Sequence, residues 1–348
     1  MSIKDTDHVA LYYPYLMPTN SLWLKQSLFY WDHIQSILPD NAKEHSQFLT
    51  PDLQFLEAEG IFSTIDPGYI TYLLDPDAIV DDVRKVLKSS SFPLLKKGIF
   101  ASLGVSYEAS YSHYTPILKD KMTPFILGQL KNEGINIIYD DVEEYLVPTA
   151  EAGVFMAVLT KHIAEGKSPY TVPVTDTPIA RDLLYCSPEH TNHLGINLIL
   201  ENIFPSPGND VPLQDIIEFR IRRQDELKQF KDIMSNYFAE VSRIKDVTEL
   251  TAITNNITKT IEKSTNDLLK AMGDAHMSVV RNSTELLLNL GVDVAAYTHD
   301  TSGIIMALKG GISLIKAHEC YINLRKIKTM QKEAPFTYLL NTRSEFTI

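Results

Sequence analysis

Cysteine is scarce. Only Cys186 and Cys320 occur in 348 residues, far apart and outside any Cys-x-x-Cys spacing. That argues against a disulfide framework and against a thiolate zinc site. Positive charge is short as well: 32 Lys and Arg stand against 44 Asp and Glu, for a net charge of -12. Such a chain has no whole-molecule attraction for a phosphate backbone, so nucleic-acid binding is disfavoured. No apolar run approaches the ~20 residues that span a bilayer. Met1–His8 lacks the basic start and apolar core of a signal peptide. These absences predict a cytoplasmic chain without a transmembrane segment. Also missing are a Walker loop, a glycine-rich dinucleotide turn, a Gly-x-Ser-x-Gly elbow and a His-Glu-x-x-His pair.

Present are 44% hydrophobic and 22% charged residues, the balance of a chain that can bury a core. The length suggests about two domains. Val9–Tyr15 reads as a strand ended by Pro14. Leu24, Leu28, Trp31, Ile34 and Leu38 recur at helical spacing and predict one amphipathic helix closed by Pro39. Thr50-Pro51, Asp75-Pro76 and Thr115-Pro116 read as helix starts, because proline at the first helical position forfeits an N–H that has no partner there anyway. Segments 98–107, 135–139, 170–174 and 195–204 read as strands, and Thr149–Glu165 as a helix. Alternation of this kind favours an α/β layer with some parallel pairing.

Pro205–Asp210 is dense in turn residues and marks a break. Beyond it, Ile216, Arg220, Arg223, Leu227, Phe230, Met234, Tyr237, Val241 and Ile244 alternate steps of four and three, a heptad seam on one helix over 212–245. A second long helix over 247–290 and a basic one over 311–332 follow. The expected fold is an α+β or α/β N-terminal part, residues 1–207, and an all-α, long-helix part, residues 208–348, predominantly helical throughout.

Several groups of residues invite a chemical reading. Tyr13 and Tyr15 at a strand end, with Trp31 and Asp32, would line a pocket or pack as an ordinary strand–helix unit. Glu108, Asp140, Asp141 and Asp176 each follow an apolar run. On parallel strands they would share the edge where α/β folds bind ligands, and gathered carboxylates suit Mg²⁺. The plainer reading makes Asp176 a helix cap and Asp140-Asp141 a turn. Glu189-His190-x-x-His193 has metal spacing but no third ligand, so no metal site is expected. Glu165-Gly166-Lys167 matches half of a nuclease signature at a helix end instead of on a strand. Arg220 and Arg223 fall on the seam, where a guanidinium must be paired. They predict an ion-pair network, an anion site or a register contact with a partner chain. Gly303–Ile312 is apolar and glycine-rich but too short to cross a bilayer.

Ala10–Tyr15, Trp23-Leu24, Tyr30-Trp31-Asp32, Ile37-Leu38-Pro39, Phe155-Met156-Ala157, Pro173–Asp176 and Val211–Arg220 together resemble an uncharacterised bacterial family, a domain of unknown function. The resemblance implies no activity and no catalytic residues. It does imply a setting among antiphage and mobile-element genes. The expected function is a non-enzymatic sensor, adaptor or assembling subunit in antiviral defence, a homo-oligomer or the partner of another protein, without a cofactor. The alternatives are a Mg²⁺-dependent hydrolase or nuclease on the carboxylate edge and a membrane-acting effector using 303–315.

Overall fold

The computed structural model describes residues 7–14, 17–18, 20–38, 49–68, 73–102, 113–139, 143–167, 171–177, 180, 183, 191–241, 243–244, 247–288 and 336–346, the side chains of 191–195, 198, 247–248 and 271–288 excepted. Four short strands make a parallel sheet: β1 (Val9–Tyr12), β2 (His33–Ile37), β3 (Phe62–Ile65) and β7 (Thr171–Val174), in the order β3-β2-β1-β7. The chain leaves β1 toward β2 and β3 and returns much later to β7 on the other side. The switch point is therefore between β1 and β7. All residues of the inner strands β1 and β2 are buried, as expected of parallel strands covered on both faces, and so are those of the border strand β7. A second, antiparallel sheet runs β4 (Tyr114–Leu118), β6 (Glu144–Pro148), β5 (Ile138–Tyr139).

Helices α1 (Ser21–Ser27), α2 (Pro51–Ala58), α3 (Pro76–Leu87), α4 (Phe92–Ser102), α5 (Pro124–Asn132) and α6 (Thr149–Lys167) surround these sheets. Three start as their sequences require: the side chains of Thr50, Asp75 and Thr123 accept backbone N–H bonds in the first turns of α2, α3 and α5, each with proline next. Then come α7 (Thr191–Ile203), α8 (Leu213–Arg222), α9 (Gln224–Val241), α10 (Val247–Leu288) and α11 (Thr337–Phe346). The α/β first part and the helical last part agree with the expected fold class.

Several element assignments are corrected. The helix expected through Leu38 stops at Ser27, and 33–37 is a strand. Helical spacing of Ile34 and Leu38 yielded to parallel pairing, which buries His33–Ile37 completely between β1 and β3. Thr115-Pro116 opens no helix. Pro116 lies in β4, at the border of the sheet, where a missing N–H costs no ladder bond. Segments 98–107 and 195–204 were expected as strands, yet 92–102 and 191–203 are helices. Short apolar runs do not distinguish a strand from a buried helix. Of 135–139 only Ile138-Tyr139 is strand, and it is antiparallel and exposed. The single helix over 212–245 is interrupted at Arg223, whose φ of -113° and ψ of 23° leave the helical region.

One cluster of buried apolar side chains runs from Ala10 to Phe346. Its aromatic centre draws on α1's C-terminal turn (Phe29, Tyr30), α7's end (Phe204), α8 (Phe219), α9 (Phe230) and α11 (Tyr338, Phe346). Phe29 stacks on Phe204 at 5.9 Å and meets Phe346 at 5.1 Å, and Phe230 meets Phe204 edge-on at 5.6 Å. Tyr338 anchors α11 there by donating to the Phe29 carbonyl at 2.8 Å.

Candidate functional site: a carboxylate shared by two helices

Asp32 is placed by the turn between α1 and β2. Its carboxylate gathers two cations from the helical part of the chain and a backbone N–H from the start of the first sheet. Oδ1 accepts from Lys231 Nζ at 2.6 Å and from Arg220 Nη2 at 3.1 Å. Oδ2 accepts the His8 backbone N–H at 2.9 Å. Arg220 also donates through Nη1 to the carbonyls of Leu28 and Trp31. Those carbonyls lie just past α1, where backbone oxygens lack helical partners. The guanidinium thus closes α1 while it binds Asp32, a use of its planar fork that a lysine could not reproduce. The Lys231 ammonium lies 5.3 Å from the centre of the Tyr30 ring, within cation–π range.

Burial sets the electrostatics. For Asp32, burial pushes the carboxyl up, but Lys231 and Arg220 outweigh it and hold the group below the ordinary carboxylate range. Burial brings the Lys231 amine down to about 8, although Asp32 pulls the other way. Burial, then the Lys231 charge, lower His8 to about 4, so its ring is neutral at pH 7. His8 packs edge-on against Tyr30 at 5.3 Å.

A small cavity of about 30 Å³ adjoins this cluster, between α1 and α7 beside the β1/β7 switch point. Trp23, Tyr30, Trp31, Val174 and Phe204 form most of its apolar wall. That volume suits one or two waters. At the switch point itself the chain supplies its own anion. Asp176 accepts from the Tyr12 hydroxyl at 2.8 Å and from the Asn20 backbone N–H at 3.1 Å.

The residues singled out from sequence separate accordingly. Asp32 and Arg220 meet directly, and Trp31 joins them through its carbonyl. Arg223, between α8 and α9, pairs instead with Glu226 in the first turn of α9, at 2.9 Å. Tyr13 is fully buried, with its hydroxyl donating to the Ala180 carbonyl at 2.7 Å. Asp176 binds the start of α1, through the Asn20 backbone N–H, and the Tyr12 hydroxyl; most of the segment that it was expected to cap lies outside the described residues. Tyr15, Glu108, Asp140, Asp141, Glu189, His190, Cys186, Cys320 and segments 303–315 and 311–332 lie outside the described residues, and the His193 side chain does too. The parallel edge expected to gather the carboxylates is not formed from all three runs, since 98–102 is helical and β5 belongs to the antiparallel sheet. Glu165 lies 3.9 Å from Lys161, whereas Lys167 donates to Gln35 at 3.2 Å. No group of three or more His, Cys, Asp or Glu that could hold a metal ion occurs among the described residues.

Sequence reading missed Lys231 and His8. A trace of Lys231 was present, because it follows the seam residue Phe230 and its ammonium lies on the flank of a buried stripe. Nothing in the sequence near His8 points to Asp32. A second ion cluster was missed as well. Asp82 of α3 accepts from Lys161 of α6 at 2.9 Å and from Lys85 at 3.0 Å, and lies 3.2 Å from His162 Nε2.

The model of the Family of unknown function (DUF6236) matches residues 174–347, which is 174 of the chain's 348 residues. The chain belongs to DUF6236. Within the DUF6236 match lie Arg220 and Lys231, while Asp32 and His8 precede it. Val211–Arg220, one of the segments that carried the resemblance, falls inside it, and Tyr12-Tyr13-Pro14 and Tyr30-Trp31-Asp32 fall outside. No curated protein and no solved structure matches the chain. Among the described residues no helix is long and apolar enough to cross a membrane.

Proposed function

We propose that this DUF6236 chain is a non-enzymatic assembling or adaptor subunit that presents α10 to a second protein, most simply another copy of itself. One observation carries the reading. α10 has 42 residues, a length of ~63 Å at 1.5 Å per residue, which exceeds what one compact domain needs. Among its described side chains, Leu250, Thr254, Ile257, Ile261 and Thr265 are buried. From Asn266 to Lys270 no side chain is buried, and Leu269 is 54% exposed. The apolar spacing continues in sequence through Leu268, Met272, Ala275, Val279 and Leu286. An apolar stripe that a chain leaves uncovered is a surface that monomers avoid, and closed two-fold pairing is the commonest solution for identical chains. The resemblance stated above adds the setting, antiphage defence, in which such a subunit would act as a sensor or adaptor.

Light scattering of the full chain at micromolar concentration tests the reading. The expected mass is a multiple of 39.3 kDa, reduced toward the monomer by Leu269→Asp with the fold retained by circular dichroism. A monomer that gains no mass with the products of neighbouring genes would sink it.

A further inference from the structure

The interruption at Arg223 has no cause in its own sequence. From Leu213 to Val241 there is neither glycine nor proline. Arg222, Arg223, Gln224, Glu226 and Leu227 are good helix formers. The seam of apolar and arginine positions runs through the break without a change of phase. Local preference therefore dictates one helix of 29 residues, spanning α8 and α9. Sharp bends in helices arise at proline, glycine or serine pairs, bulges or inserted groups, and no proline, glycine or serine lies near Arg223.

Even so, the hydrogen bonds around Arg223 are almost helical. The Arg223 N–H reaches the Phe219 carbonyl at 3.0 Å, and the Leu227 N–H reaches the Arg223 carbonyl at 2.9 Å. One non-helical residue separates two segments that are each otherwise regular. The two segments are held by the same acceptor. Arg220, in the last turn of α8, and Lys231, two turns into α9, both end on Asp32 Oδ1. Arg220 is pinned further by the carbonyls of Leu28 and Trp31. Eleven positions apart on a straight helix, these side chains would be rooted ~16 Å from each other. Converging on one oxygen is easier when the helix bends between them.

We propose that Asp32 acts as a latch, holding a helix whose sequence favours continuity in a bent state. Releasing either cation lets α8 and α9 straighten into one rod. The device has a bistable element, the 213–241 segment, and a restraint outside it that a competing charge could engage. It stands independently of what α10 binds.

Spin labels placed at the exposed positions Asp215 and Glu240, in the full chain with Cys186 and Cys320 replaced by serine, report the bend directly. A continuous helix would separate these backbones by ~38 Å. The native chain should give a shorter distance. Asp32→Asn, which keeps shape and removes charge, should lengthen it toward the straight value. Lys231→Met, which keeps the buried stem and removes the ammonium, is the second route. An unchanged distance in a variant that remains folded overturns the latch, as does a native distance already at the straight value. Loss of fold in both variants also overturns it, because the network would then be required by the core and not by the bend.

Discussion

Asp32 concentrates more consequence than any other side chain described. It is the shared acceptor of Arg220 and Lys231, whose side chains are only 12% and 10% exposed. Removing one partner of a buried pair is costly chiefly because it strands the other charge. Asp32→Ala should therefore destabilise the fold by about 2–4 kcal/mol, somewhat below the fully buried case because Asp32 itself is partly exposed. Urea unfolding at pH 7 measures this, and a loss below about 0.5 kcal/mol would contradict the assignment.

His8 makes stability depend on pH in a definite direction. Its folded value of about 4 lies below the ordinary 6.5. Between those values the unfolded chain binds the extra proton, so stability rises with pH across that window. The contribution is complete above pH 6.5 and is lost as pH falls toward 4, an effect of up to about 3 kcal/mol. Asp32 and Asp82, both held below the ordinary carboxylate range, weaken the fold further in stronger acid. His8→Gln should flatten the dependence between pH 6.5 and 4. A variant curve parallel to the native one would refute the role given to His8.

At the scale of elements, α9 is the keystone of the helical half. Leu227, Phe230, Met234 and Val241 are buried on one side, as the seam requires, while Tyr237 is half-buried at its margin. Phe230 is completely enclosed and touches aromatic rings from α7 and α11. Phe230→Ala should cost about 3–5 kcal/mol, read as a fall in the urea midpoint at unchanged m-value. A cost under about 1 kcal/mol would show that the site collapses around the vacancy or that the ring is not enclosed. α3 and α6 are joined differently, through Asp82 and Lys161, which are 11% and 7% exposed. The first and last parts of the chain thus use two separate buried ion clusters to fix helix positions.

On the scale of the whole molecule, α11 closes the aromatic centre. Tyr338 and Phe346 pack against Phe219, and Arg343 donates twice to the Ile203 carbonyl. Its nearest sequence neighbours among the described residues are those of α10, yet its contacts reach back to Phe29. Deleting 337–348 should uncover Phe29, Phe219 and Phe230 together. The shortened chain is expected to lose cooperative thermal unfolding and to bind a hydrophobic dye at room temperature. A sharp transition within a few degrees of the native one would show that α11 is an accessory and not part of the core.

Sequence by itself determined what depends on local chemistry. The Thr-Pro and Asp-Pro starts of α2 and α3, the helical runs of α6 and α10, the buried side of α9 and the need to pair Arg220 could all be read from spacing and residue type. These follow from backbone hydrogen bonding and from the period of apolar residues, which act within a few turns. Tertiary structure decided the rest. It turned His33–Ile37 into a strand because β1 and β3 offered ladders on both sides. It turned the strand-like run at 195–204 into a helix because an apolar run that short fits either form. It interrupted a helix at Arg223 that nothing local interrupts. It chose Lys231 and His8 as the companions of Asp32, since partners 199 and 24 residues away are set by how layers stack and leave no periodic trace.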